Sequence, residues 1–536
     1  MTSPPGESFR RVLPHALPAF LILAAAVLRL YGLAENPPGL FRDEWEKGYT
    51  AYELIHTARH GIPGPEGIRV SSYFPLFIEV YEGHDRTSAL YQYLSAPFVG
   101  IFGLSAWSTR LVAALAGVLA AIGAWRLASR LAGPDAGLIA LAVMALSPAC
   151  LIFSRWAQQG ILVLPLALFG FLALLSIRDA ETRNRRVLAV IGALLLALAA
   201  YAYDPARLVI PILVALFAVG PGWSIVRHER RQALTAGTLF VLLWLPLLVY
   251  TLTSGASRLE RIGLGHEESG GGIAVTAVSN WIAHFDPAFL FVEGDANPRH
   301  RLPGAGLMGW GSALLLVAGL AAIGRTFWTR DEARWRTGVF VLGWFLVAPA
   351  AAALTRDGIP HALRANLMIP GAVLVASCAT WWFSGVRGSV RRLCWVVVVV
   401  LLLTDGFQAV RGLVWLRNSP AGPWAGGVTE ALGEALEARG IPYFSTGIPY
   451  ANYAALFHER TPPRQYHEDG LGALRLQLVP PGAAPSLGEG DVFVGPPQSG
   501  LPMEMFEEYV LLYELRDGEL HVRRAEWGPA RPSPSF

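Results

Sequence analysis

Apolar residues along this chain come in long unbroken blocks, not in the alternation of strands or the narrow stripes of surface helices. The blocks run at roughly 13–33, 88–103, 107–131, 135–152, 160–177, 185–203, 206–222 and 232–253. They resume at 305–324, 337–354, 360–383 and 392–410. Most are long enough, at 1.5 Å per helical residue, to cross a bilayer. The pattern predicts an all-α polytopic membrane protein with eleven or twelve crossings, spanning residues 1–415. Two long polar stretches interrupt it, 34–87 and 254–304, both rich in Gly, Pro and charge. Between 86 and 180, Pro148 and the polar run Ser154–Gln159 break the pattern, so one segment there is expected not to cross fully. From about 420 to 536 the chain turns less apolar. Thr429–Arg439 reads as an amphipathic helix and Asp491–Val494 as a strand, giving a small extracytoplasmic α/β domain.

Charge then fixes an orientation. Arg10 and Arg11 precede the first block and place the N-terminus in the cytoplasm; no small-residue cleavage site follows, so the block is expected to stay as an anchor. Clusters at Arg183–Arg186, Arg227–Arg231, Arg325–Arg336 and Arg387–Arg392 mark alternate connections. With those inside, the 34–87 loop, Tyr203-Asp204-Pro205, the 254–304 loop, the Thr355–Arg364 turn and the C-terminal domain lie outside. The aromatics Tyr73, Tyr81, Tyr91, Tyr93 and Trp281 fit an interfacial belt better than a binding surface.

Composition agrees with the blocks: 53% hydrophobic against 15% charged residues, with mean hydropathy +0.41. A formal net charge of +3 gives no footprint for nucleic acid. Lys47 is the single lysine, so arginine carries the positive charge used for orientation and for binding anions. The three cysteines, Cys150, Cys378 and Cys394, have no metal-ligand spacing and no disulfide pattern.

The candidate chemistry lies at the borders of the blocks, where an ionised group is costly unless it has a partner or a task. Phe41-Arg42-Asp43-Glu44-Trp45 places two adjacent carboxylates between a Pro/Gly turn and a short amphipathic helix. Alone, such a pair either caps the helix or serves as a general base. Asp204 before Pro205 is equally readable as a helix cap, and Arg155 either lines a cavity or extends to the interface. His56, His60 and His266 read as solvated loop positions.

In order along the chain, several motifs resemble the GT-C glycosyltransferases, in particular the protein O-mannosyltransferase and aminoarabinose transferase superfamily. They are Asp43-Glu44 after the first block, Tyr91-Gln92-Tyr93-Leu94 leading to Phe102-Gly103-Leu104-Ser105 with Arg110 beyond, and Ser154-Arg155 after a Ser-Pro kink. Tyr203-Asp204-Pro205-Ala206-Arg207, Gly294-Asp295-Ala296-Asn297-Pro298-Arg299-His300 and Pro360-His361-Ala362-Leu363-Arg364 follow. The resemblance covers roughly residues 13–380 and leaves the C-terminal domain outside it.

The resemblance implies a polyprenyl-phosphate sugar as donor, a lipid, glycan or protein hydroxyl as acceptor, and inverting transfer on the outer face of the plasma membrane. Asp43 would be the general base and Glu44 its orienting neighbour. Arg364 with His361 would receive the leaving phosphate, with Arg299, His300 and Arg301 as rivals and Arg86, Arg155 and Asp204 as further substrate contacts. Two adjacent acids can also hold a divalent metal, but these branches do not generally use one, and no cofactor is expected. The aminoarabinose branch keeps a glutamate–lysine pair where this chain has Arg86-Thr87, after Glu82, His84 and Asp85, which weakens transfer of that branch's substrate. A lipid-linked glycan transporter or flippase, or a non-catalytic subunit of a glycan assembly complex, is the alternative. Against a transporter, no internal repeat is evident and the polar residues gather on outside loops.

Overall fold

The computed structural model describes residues 5–64, 67–80, 85–253, 263–264, 270–329, 331–356, 358–418, 424, 426–446, 450–480, 485–495, 510–516 and 519–525. Glu82, His84 and His266 lie outside the described residues. The chain divides into two compact units. One comprises residues 1–31, 113–154 and 159–413; the other comprises 32–112, 155–158 and 414–536.

Seven described helices are long and apolar enough to cross a membrane: Ala106–Ala132, Gln159–Asp179, Thr182–Ala202, Arg230–Thr253, Trp310–Thr329, Glu332–Ala353 and Gly388–Arg417. Four shorter apolar helices accompany them, Ala16–Leu30, Pro134–Leu146, Gly272–Ala283 and Met368–Trp382. This is a helical integral membrane protein carrying a small C-terminal sheet.

Three departures from the block pattern matter for the site. The 88–103 block forms only the 13-residue helix Leu90–Phe102, interrupted by Pro97. The 360–383 block becomes helical only from Met368, because Gly358–Leu367 forms a run of turns that includes Pro360. The expected polar loop at 254–304 contains the apolar helix Gly270–Ala283 and a single π turn, Ala288–Val292.

In the first unit, small residues let helices approach to backbone contact. A Cβ on Gly319 would lie 1.9 Å from the Val375 carbonyl oxygen, and one on Gly192 only 3.1 Å from that of Gly170. Aromatic rings fill the space between more widely set helices: Phe171 meets Phe217, Phe340 and Trp344 at centroid distances of 5.1–5.4 Å. Two buried charges in this apolar surrounding are occupied by helix ends. Arg29 donates to the carbonyls of Met144 and Ala145, which end the helix Pro134–Leu146. Asp405 accepts from Gly311 N and Ser312 N at the start of the helix Trp310–Thr329. Both satisfy backbone groups that a helix terminus leaves orphaned.

The second unit is mixed. The hairpins β1 (Gly61–Gly64) with β2 (Gly67–Val70) and β3 (Phe77–Val80) with β4 (Asp85–Ser88) follow the helix Arg42–Thr57. Its C-terminal part is a five-stranded sheet of β5 (Pro442–Ser445), β6 (Gln477–Val479), β7 (Val492–Gly495), β8 (Val510–Arg516) and β9 (Glu519–Ala525), in the order β6-β5-β7-β8-β9. β6, β5 and β7 are parallel, with Phe444 opposite Leu478 and Val494, while β8 and β9 add an antiparallel hairpin. Helix Gly426–Glu437 covers it, and Ala451–Glu459 packs against that helix and against Arg42–Thr57. Trp45 and Tyr49 share one core with Leu432, Phe444, Tyr453, Phe457 and Tyr466, so the helix bearing the acid pair is anchored to the C-terminal segment. Tyr49 Oη also donates to Thr461 O at 3.0 Å.

Candidate active site

The acid pair lies in the first turn of Arg42–Thr57, where carboxylates complement the positive helix end. Adjacent helical residues point about 100° apart, and the two acids part accordingly. Glu44 is wholly buried. Its Oε2 accepts from the Phe41 N–H at 3.0 Å, closing the helix start, and its Oε1 accepts from Ala157 N at 2.8 Å. Arg110 grips both oxygens, through Nε at 2.8 Å and Nη2 at 2.9 Å. The remaining guanidinium protons go to the carbonyls of Leu33, Ala34 and Pro37 at 3.0–3.3 Å, and to Gly39 O. Glu44 therefore does not present an oxygen to substrate or metal; it fixes the helix that carries Asp43.

Asp43 keeps 18% of its side chain exposed and pairs with Lys47, one turn on, at 3.8 Å. Asp43 is the accessible carboxylate of the two.

Arg155 is also a clamp. Only 1% exposed, it donates from Nε to Asn36 O and from Nη2 to Gly32 O, each at 3.0 Å. Arg110 and Arg155 together bind the carbonyls of Gly32, Leu33, Ala34, Asn36, Pro37 and Gly39, in a turn where Pro37 and Pro38 supply no N–H. The expectation that Arg155 contacts substrate gives way to this role. Arg86 sits on the exposed β3–β4 hairpin, where it and Arg69 share the two oxygens of Glu79, at 2.6 and 3.0 Å. That is a solvated surface pairing, not a binding pocket.

A buried Glu53 forms a second polar knot in this unit. It receives His60 Nδ1 at 2.8 Å on one oxygen, and His467 Nε2 and Gly61 N at 2.9 Å on the other. His60 is 1% exposed, so it is not a solvated loop residue. His56 is exposed as expected.

The other unit gathers a different group. Asp295 Oδ2 accepts from Ala362 N at 2.7 Å and from His300 Nδ1 at 3.1 Å, with His361 Nδ1 at 3.7 Å. Oδ1 accepts from Asn297 N at 2.8 Å. The His300 and His361 rings lie 4.8 Å apart between centroids. His361 Nδ1 accepts from Arg364 N at 3.2 Å, and its own backbone N–H donates to His284 Nε2 at 3.1 Å. His284 in turn donates from Nδ1 to Asn280 O at 2.7 Å.

Arg364 donates from Nη1 to Thr355 Oγ1 at 2.8 Å and is half-buried. Arg299 is half-buried on the 3-10 turn Pro298–His300. Asp204 pairs with Arg207 at 2.5 Å in the first turn of Asp204–Val219.

Burial, reinforced by the neighbouring His300 and Arg364 and opposed by Asp295, pulls the His361 pKa down to about 3. Burial likewise lowers that of His284, against the Asn280 carbonyl and the Asp295 charge. For Asp295 burial acts upward, but the His300 hydrogen bond and the fields of His300 and His361 outweigh it and leave the carboxyl below its ordinary range. The structure thus joins His300 and His361, which the sequence offered as rivals, and adds Asp295 and His284, which had no site role.

Residues 87–250 match the family model described as dolichyl-phosphate-mannose-protein mannosyltransferase. A search of curated proteins finds no significant match. Among solved structures, the chain is similar to the apo oligosaccharyltransferase of Archaeoglobus fulgidus. The TM-score is 0.53 at 14% identity, covering 84% of this chain and 64% of that one. It is similar also to ArnT from Cupriavidus metallidurans bound to undecaprenyl phosphate, with TM-score 0.51, 14% identity, and coverage of 96% and 99%. The Archaeoglobus AglB complex with an inhibitory peptide and a dolichol-phosphate gives 0.50 at 14% identity over 87% and 64%. The chain spans about two thirds of the length of the archaeal oligosaccharyltransferase. Its fold is that of the GT-C glycosyltransferases. Within that class, the mannosyltransferase model is the family likeness that its sequence carries.

Proposed function

We propose that this protein is a membrane glycosyltransferase that moves a sugar from a polyprenyl-phosphate donor to a hydroxyl acceptor, with inversion, at the extracytoplasmic face of the plasma membrane. The observation that carries the reading is the split of the acid pair: Glu44 is consumed by Arg110, leaving Asp43 accessible on a rigidly held helix start. Asp43 takes the proton of the acceptor hydroxyl as its oxygen attacks the anomeric carbon. The bond from that carbon to the phosphate oxygen breaks, and polyprenyl phosphate leaves with the electron pair. The growing charge on the phosphate calls for a cationic donor. The fold likeness and the mannosyltransferase match support a lipid-linked donor.

Orientation is supported by the helix count. The passes Ala106–Ala132, Pro134–Leu146 continued by Pro148–Phe153, and Gln159–Asp179 separate the Asp43 region from Arg183–Arg186. Three passes, an odd number, support a cytoplasmic arginine cluster with Asp43 on the opposite, external side. The test is purified protein in detergent with radiolabelled polyprenyl-phosphate sugars and candidate acceptors. Transfer that vanishes in Asp43→Asn supports the enzyme. Donor movement across a vesicle without transfer would make it a transporter.

A further inference from the structure

Among the described residues, one group of three side chains can each offer a metal a ligand atom, and it lies in the first unit, not at the acid pair: Asp295, His300 and His361, all within 4.8 Å of one another. We propose that these three hold a zinc-class divalent cation. One carboxylate and two imidazoles are the borderline nitrogen/oxygen set that suits zinc and its neighbours better than magnesium or calcium. In a tetrahedral site with bonds of about 2.1 Å the donor atoms lie about 3.4 Å apart. Asp295 Oδ2 already stands 3.1 Å from His300 Nδ1 and 3.7 Å from His361 Nδ1. The three donor atoms lie within 4.8 Å, so the ion would draw the imidazoles closer together.

The surroundings are those of a supported site. Ala362 N and Asn297 N fix the two carboxylate oxygens, as hydrogen bonds around metal ligands commonly do. His361 Nδ1 is unprotonated, since it accepts the Arg364 backbone N–H, and an ion taken at that nitrogen would displace this hydrogen bond. His300 Nδ1 donates to the carboxylate, and its proton would be released if that nitrogen took the ion. The carboxylate is 1% exposed and His361 12%, which gives an ion an approach from the His361 side. Three protein ligands leave a fourth position open to water or an anion. The ligands come from two segments more than fifty residues apart, so the ion would pin the Asp295–His300 loop to the turn bearing Arg364. The proposal is independent of the transfer reading.

The test uses the full chain, purified with an affinity tag free of histidine, stripped with EDTA and dialysed. Zn²⁺ titration by calorimetry should give one equivalent, and His361→Gln and Asp295→Asn should each weaken it by about 100-fold or more, the loss of a ligand costing more than that of an outer-shell partner. His56→Gln, at an exposed histidine of the other unit, should leave it unchanged. Should either ligand variant elute as aggregate, the unmodified protein decides. Co²⁺ in place of zinc should give intense visible d–d bands of a four-coordinate ion without thiolate charge transfer. Absence of a stoichiometric site, octahedral cobalt spectra, or affinity unmoved in well-folded ligand variants would overturn it.

Discussion

Asp43→Asn and Glu44→Gln remove a charge from adjacent residues, yet the structure assigns them opposite consequences. Asp43 is partly exposed and its ion pair with Lys47 spans 3.8 Å across one helical turn. Such a pair is worth about 0.3–0.5 kcal/mol, so the Asn variant should unfold within a degree or two of the parent. Its turnover should fall about 10²–10⁴-fold, the usual contribution of a positioned general base, equivalent to about 3–5 kcal/mol of barrier. Glu44 is fully buried with Arg110 doubly bonded to it. Neutralising it leaves a buried guanidinium facing only carbonyls, and breaking such a pair from one side costs about 3–5 kcal/mol. Glu44→Gln should therefore lower the unfolding midpoint sharply, while the molecules that remain folded keep measurable turnover. The assay is initial-rate transfer of labelled sugar alongside tryptophan-fluorescence unfolding in the same detergent. An Asp43→Asn protein as unstable as Glu44→Gln, or one within tenfold of parental turnover, refutes the division of labour.

The other expectations are narrower. Arg155→Met should destabilise by about 1–3 kcal/mol, because Gly32 and Asn36 lose their donors, without a selective loss of turnover in the folded fraction. Burial, with Arg460 adding to it, pulls His458 from the ordinary 6.5 down to about 4. The unfolded chain then binds the extra proton between those values, so stability is complete above pH 6.5 and declines as pH falls towards 4. His458→Phe should flatten that part of the unfolding profile measured by fluorescence, and an unchanged slope places the acid sensitivity elsewhere.

Seven membrane helices were legible because a bilayer demands long apolar runs and the chain supplies them. The hairpins at 61–88 were not, since four-residue strands, the first pair also holding Gly and Pro, are too short for alternation to show. The 88–103 block yields only the 13-residue helix Leu90–Phe102, which packs against Arg42–Thr57 within the same unit. At the site, the sequence located the acid pair but not which acid was spent. The capping-box signal that gives Glu44 away begins with Ser or Thr, and here the position is Phe41.

Arginine shows why residue type alone could not sort the site. The chain has one lysine, so the same guanidinium appears at solvated hairpins, at helix ends, around the 32–39 turn and on the Thr355–Arg364 turn. What separates these uses is the number of carbonyls within reach. Arg110 faces four carbonyls and a carboxylate, and Arg155 at least two carbonyls. A planar fork can satisfy that many acceptors at once, which a lysine cannot, so burying arginine there costs little unmet hydrogen bonding. A phosphate ligand has the opposite requirement, since its donors must stay uncommitted until the anion arrives. In this chain a turn deprived of N–H groups by its prolines, as at Pro37-Pro38, signals an arginine clamp and not an anion site. By that rule Arg110 and Arg155 are clamps, their donors already spent on the 32–39 turn.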